Sequence, residues 1–275
     1  MKIAVWKTGH EIADTVAEAV YEGLQSNREN NVDCFICESP YWRDQITRYD
    51  IHIAYGILRG TTEVFREAGK AGKSWFNIDK GYWKPGHYDG YYRVSLRGTQ
   101  QTFGFDKLVP DYERWDSLGI EVLPDKKVPK DHFIACPPTD YVCKFFGCDN
   151  WFSEKFPFYH SRQPPFVYKR AKGSSIPLQE VFDKSLGTVA TFNSSVGWEA
   201  LRQGIPVVSD PTHSIVGAYQ KLIDKPLHTD THLTRALFSV MAGLQLTLDE
   251  MRQGKLWPLM QTLLSCTSAS TAEKQ

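Results

Sequence analysis

A chain of 275 residues is too long for one typical α/β domain and comfortable for two. Its 32 basic and 32 acidic side chains cancel, so overall charge points to no polyanionic partner. With 41% hydrophobic and 23% charged residues and no apolar run near the roughly 20 residues of a membrane span, the composition is that of a soluble globular protein. The opening Met1-Lys2-Ile3-Ala4-Val5-Trp6 reads as a strand rather than a signal peptide, so a cytoplasmic location is expected. The cysteines at 34, 37, 136, 143, 148 and 266 then read as reduced thiols. Cys34-x-x-Cys37 has zinc-ligand spacing but no second half, so core thiols and no metal site are expected.

In chain order, Lys2–Trp6 reads as a buried strand and Lys7-Thr8-Gly9-His10 as a loop. Glu11–Leu24 follows as an amphipathic helix, with Ile12, Val16, Val20 and Leu24 at helical spacing. Further strands are expected at Val32–Cys37, Ile51–Gly56 and Gly72–Asp79, with a helix over Thr61–Ala68. This alternation predicts a parallel sheet with helices on both faces, whose strand-end loops carry the binding groups. His10 and Asp79 end such strands. The segment from Asp79 to Gln100 breaks the regularity, interleaving five aromatics with Lys80, Lys84, His87, Arg93 and Arg97. Two readings suit it: a binding loop offering His87, Asp89, Tyr91 and Arg93, or a hairpin whose tyrosines cover the core. A helix over Asp111–Leu118 and a strand over Glu121–Pro124 close a first domain of residues 1–124, and the Pro-rich, charged 125–131 reads as a linker.

The second domain, residues 132–264, opens with the strand His132–Cys136 and a turn at Pro137-Pro138-Thr139-Asp140. Helices are expected near Tyr141 and near Asn150, a strand over Pro164–Tyr168, and a short helix over Pro177–Phe182. Lys169, Arg170 and Lys172 put three cations at a strand end. Thr188–Phe192 is β-branched and apolar, as a buried strand requires. Asn193-Ser194-Ser195 caps a helix carrying Val196, Ala200 and Leu201 on one face, Gly204 stops it, and Ile205–Val208 starts the next strand. Hydroxyls and backbone N–H groups at that helix start suit an anion, the cations suit phosphate, and Glu199 suits ribose hydroxyls. Asp210–Ser214 forms another strand-end loop. Leu233–Gly243 and Leu248–Leu264 read as terminal helices, and 265–275 as a disordered polar tail.

The segment Phe192-Asn-Ser-Ser-Val-Gly-Trp-Glu-Ala-Leu-Arg-Gln-Gly-Ile-Pro-Val-Val208 resembles the nucleotide-sugar-binding segment of GT-B glycosyltransferases, most of all the capsule-polysaccharide type. Ile134–Gly147 and Val167–Lys172 are similar to segments of small glycosyltransferase-like proteins of bacteria and their phages. The resemblance covers about 133–257. It implies two Rossmann-like domains facing across a cleft, donor on the second and acceptor on the first, in the cytoplasm of a bacterium or a phage-infected host. It also implies transfer of a sugar from a nucleotide-sugar co-substrate to a hydroxyl, with no metal or other cofactor. Lys169, Arg170, Lys172, Asn193, Ser194, Ser195 and Glu199 would hold the donor. Asp79 and His10 would serve the acceptor hydroxyl, with His87, Asp89, Tyr91 and Arg93 around it. The acceptor implied is a cell-surface saccharide or a hydroxylated base in phage DNA. A non-catalytic nucleotide- or sugar-binding protein and a GT-B-fold epimerase are the alternatives.

Overall fold

The computed structural model describes residues 1–26, 32–58, 60–128, 132–151, 154, 166–168, 177–184, 187–224, 227 and 230–268. Two compact units emerge: Met1–Arg114 with Val240–Gln275, and Trp115–Ser239.

In the first unit, β1 (Lys2–Lys7) is buried on both faces from Ile3 to Trp6, the pattern of a central strand. It pairs in parallel with β2 (Asp33–Glu38) on one side and β3 (Ile51–Tyr55) on the other. β4 (Ser74–Lys80) extends the parallel set beside β3. β5 (Tyr92–Leu96) and β10 (Gln245–Leu246) then add antiparallel strands, giving the order β10-β5-β4-β3-β1-β2. The wholly parallel sheet expected here is therefore mixed. The physical reason is local: Gly81 to Tyr91 turns the chain straight back, and a hairpin return forces antiparallel pairing where a helical crossover would not.

α1 (Glu11–Gln25) buries Ile12, Val16, Val20 and Leu24 as its spacing predicts, and packs on α9 (Leu248–Arg252) and α10 (Leu256–Ser268). α2 (Thr61–Lys70) covers the other face, with Phe65 stacked on Trp75. The single helix expected over Leu248–Leu264 is thus two helices. Gly254, at φ +81°, turns the chain between them in a conformation that a side chain resists. Residues 265–268, expected to open a disordered tail, belong to α10, with Cys266 buried; 269–275 lie outside the described residues.

The second unit begins within α3 (Tyr112–Ser117) and ends within α8 (Thr231–Gly243). Its sheet is parallel throughout, in the order β7-β6-β8-β9, from β6 (Phe133–Cys136), β7 (Phe166–Val167), β8 (Thr188–Thr191) and β9 (Val207–Ser209). α4 (Asp140–Phe146), α5 (Leu178–Asp183), α6 (Val196–Arg202) and α7 (Ile215–Ile223) accompany it. Glu121–Pro124 is not the strand expected. Leu123 N–H donates to Arg202 O and Lys126 N–H to Gly204 O, both at 2.8 Å, so the segment satisfies carbonyls at the end of α6 instead of joining a sheet. A Cβ on Gly204 would overlap the Pro124 carbonyl. The expected linker thus begins inside the second unit, and the chain beyond Ser239 belongs to the first, in contrast to a simple division near residue 125.

Candidate functional site

Strand order fixes where the second unit can bind a ligand. From β6 the chain moves to β7 on one side and then crosses to β8 on the other, so the carboxyl ends of β6 and β8 flank a topological switch point. A cavity of about 410 Å³ lies there. Cys136, Pro138 and Thr139 form one wall, Tyr168 another, and Ser194 and Ser195 a third. Thr139 and Ser195 are the N-caps of α4 and α6, yet neither hydroxyl makes a capping bond. Tyr168 is buried and Tyr141 stands 63% exposed on the rim, so the hollow mixes apolar faces with hydroxyls.

The anion-binding helix start expected at Asn193-Ser194-Ser195 is largely spent on the loop itself. Ser194 N–H donates to Thr191 Oγ1 (3.1 Å), Val196 N–H to Ser194 Oγ (3.3 Å) and Gly197 N–H to Ser194 O (3.1 Å). α6 is also only seven residues long, too short for a substantial dipole. Ser194 and Ser195 do line the cavity, and Asn193 and Glu199 are half-buried near it in sequence. Lys169, Arg170 and Lys172 lie outside the described residues.

In the first unit, β1 leads to β2 on one side while β3 lies on the other, so the loop bearing His10 stands at the equivalent switch point. Asp14 shapes that loop by accepting from the N–H groups of Thr8 (2.8 Å) and Gly9 (3.3 Å). His10 caps α1 without a side-chain bond, and its Nδ1 and the Thr8 hydroxyl are buried with no hydrogen-bond partner among the described residues. Asp79 is not brought to His10, because β3 stands between their strands. Its carboxylate meets the Arg93 guanidinium at 2.6 Å across the β4–β5 pair. Arg93 also donates to Lys80 O (2.9 Å) and Thr99 O (3.0 Å) and lies over the Tyr82 ring.

The 79–100 segment therefore follows the hairpin reading. Tyr82, Trp83 and Tyr92 are core residues, and the Tyr92 hydroxyl donates to His87 O. His87 and Asp89 are exposed at the tip, and Tyr91 is half-buried beneath the Arg114 guanidinium. Cys34 and Cys37 are buried in β2, with burial pushing the Cys34 thiol up to about 12 and the Cys37 thiol in the same direction.

No protein-family model and no curated protein matches this chain. Among solved structures it is similar to Thermosulfurimonas dismutans KpsC, a beta Kdo 2,4 transferase, at 10% identity over 89% of this chain and 90% of that one, with a TM-score of 0.39. It is also similar to a LacI family transcriptional regulator from Enterococcus faecium with bound ribose (12% identity, 71% and 68% covered, TM-score 0.24). A third is LsrB from Clostridium saccharobutylicum in complex with AI-2 (11% identity, 88% and 81% covered, TM-score 0.25). All three scores are low, and they bear on neither family nor site.

Two local features escaped the sequence. Pro137-Pro138-Thr139 reads there as a plain turn, although it walls the cavity. Asp210 and His213 read as one more strand-end loop, yet they form a hydrogen-bonded pair beyond β9. The spacing Asp-x-x-His after a strand was the available signal.

Proposed function

We propose that this protein is a glycosyltransferase of GT-B type, using a nucleotide-sugar as co-substrate and a saccharide hydroxyl as acceptor. The cavity at the switch point of the second unit carries the reading. Its size suits a small ligand, Tyr168 and the prolines offer faces for a base or sugar ring, and the Thr139, Ser194 and Ser195 hydroxyls offer bonds to ribose and phosphate. Glu199 adds an acceptor for ribose hydroxyls. His10 is the proposed base for the acceptor hydroxyl, since its unpartnered Nδ1 lies at the switch point of the first unit. Asp79 is assigned to the Arg93 ion pair rather than to chemistry. The proposed reaction needs no metal: the hydroxyls and a cationic side chain stabilise the departing phosphate.

A saccharide is favoured over a DNA base because the aromatics and Arg93 of the 79–100 segment, which had suggested base capture, are largely engaged within the first unit. The test is a thermal-shift panel of nucleoside mono- and diphosphates and their sugar conjugates, followed by a turnover assay with the conjugate that binds. A true ligand at a hundred times its dissociation constant adds about 2.7 kcal/mol of stability. One nucleotide series should raise the melting temperature, and its sugar conjugate should transfer to a saccharide. Absence of any nucleotide effect refutes the reading, and binding without turnover turns it into a non-catalytic binding protein.

A further inference from the structure

Beyond β9, Asp210 is nearly buried, with 8% of its side chain exposed. Its Oδ1 accepts from the N–H groups of Thr212 (2.9 Å) and His213 (3.0 Å), and from His213 Nδ1 at 2.9 Å. Oδ2 accepts from the Trp151 indole at 3.1 Å. Two backbone donors alone would complete an ordinary turn after a strand. The indole and imidazole are additional, and together they fix the carboxylate in one orientation.

The His213 ring is held as firmly. It stacks on Phe192 with ring centres 4.7 Å apart and 27° between planes, and meets the edge of Phe146 at 4.4 Å. Asp210 keeps the proton on Nδ1, which leaves Nε2 as the atom free to exchange protons with a ligand. Nε2 has no hydrogen-bond partner among the described residues, and the side chain is 28% exposed, so the free nitrogen borders solvent. Burial works to raise the Asp210 carboxyl, but the His213 ring, the Thr212 N–H and the Trp151 indole outweigh it and hold the group below its ordinary range. Asp210 therefore stays anionic beside the ring.

The pair lies outside the lining of the switch-point cavity and is linked to it through α4 and through the chain that follows β8. α4 lines the cavity at Asp140 and touches His213 through Phe146, while Phe192 lies two residues before Ser194. The N–H groups of Ser194, Val196 and Gly197 are committed within the loop, and residues 194–197 carry no cationic side chain.

We propose that His213, oriented by Asp210, is the phosphate-contacting group of the second unit, donating from Nε2 to the phosphate of the bound ligand. In a transfer reaction the bond between the sugar anomeric carbon and the phosphate oxygen breaks, and its electron pair stays on that oxygen. The acceptor oxygen bonds to the anomeric carbon and gives its proton to a base, while the imidazolium Nε2 proton neutralises the leaving phosphate. The catalytic role rests on the glycosyltransferase reading; the phosphate contact requires only a phosphate. Asp210 is a positioning residue.

Among the described residues the ring meets Phe146 of α4 and Phe192 after β8, and Trp151 and Cys148 belong to the same apolar cluster as those two side chains. Burial pushes the Cys148 thiol up to about 12, so it is uncharged near neutrality.

The test is calorimetric titration of inorganic pyrophosphate, UDP and CMP into the wild type, His213→Gln and Asp210→Asn at about pH 6 and about pH 8, on either side of the histidine range. The wild type should bind pyrophosphate roughly tenfold more tightly at the lower pH, the size of effect a charge-assisted bond gives. His213→Gln should lose that gain, and Asp210→Asn should reduce it. Phosphate ionisation is common to all three proteins and cancels in the comparison. The same pH dependence in His213→Gln, or no pyrophosphate binding at either pH, overturns the proposal. If pyrophosphate follows the expectation but neither nucleotide binds better, the phosphate site stands and the nucleotide reading falls. If a nucleotide binds independently of His213, the reverse holds. Should His213→Gln not fold, the ring ¹⁵N resonances of the wild type decide: pyrophosphate must shift Nε2, and an unmoved Nε2 overturns the proposal.

Discussion

His52 is wholly buried between Trp6 and Tyr49, accepting from the Trp6 indole through Nδ1 at 3.2 Å. Burial lowers its pKa from 6.5 to about 4, so the folded protein holds it neutral while the unfolded chain protonates it first. The unfolded state binds more protons between those values, and this contribution is complete above pH 6.5 and lost as pH falls toward about 4. Urea unfolding of the wild type should lose up to about 1.4 kcal/mol per pH unit across that window, and His52→Phe should lose less. An equal slope in the variant would show that His52 does not titrate this way. Arg93 makes the second residue-scale prediction. With 13% of its side chain exposed, it serves Asp79 and two carbonyls, so Arg93→Ala should cost about 2 kcal/mol in urea. A negligible cost, with loss of acceptor binding instead, would return Asp79 and Arg93 to the functional site.

At the scale of elements, α1 docks so closely on α9 that a Cβ on Gly23 would overlap the Met251 carbonyl. Gly23→Ala should therefore destabilise the protein by about 3 kcal/mol, against the modest gain that alanine gives in an open helix. A melting temperature equal to the wild type would contradict that packing. Elements with strong periodicity were legible in the sequence: β1, α1, β3, β6, β8 and α6 fall where spacing and caps put them. What sequence missed depends on partners distant along the chain. Glu121–Pro124 has strand-like residues but finds the end of α6 rather than a sheet edge, and the 79–100 segment buries aromatics that composition alone left open to ligand. The loop of Ser194 and Ser195, which lines the cavity, was legible because a helix after a strand has a local signature. The Pro138–Thr139 wall and the Asp210–His213 pair were not, since their meaning comes from strand order and from Trp151, 59 residues away from Asp210.

At the scale of the whole molecule, each unit is an α/β layer whose parallel strands reverse their order once, and the first adds two antiparallel strands and is completed by chain from beyond residue 239. That organisation gives each unit one loop cluster suited to a small ligand, a pattern on which nucleotide-sugar transfer can be built. The central claim is that the hollow between β6 and β8 holds the nucleotide. Titration of the nucleotide found by thermal shift into the wild type and into Ser195→Trp, which fills the hollow from its hydroxyl wall, tests it most directly. The account predicts at least a roughly hundredfold loss of affinity, about 2.7 kcal/mol, with the unfolding midpoint of the free protein little changed. Equal affinity in the two proteins would contradict it.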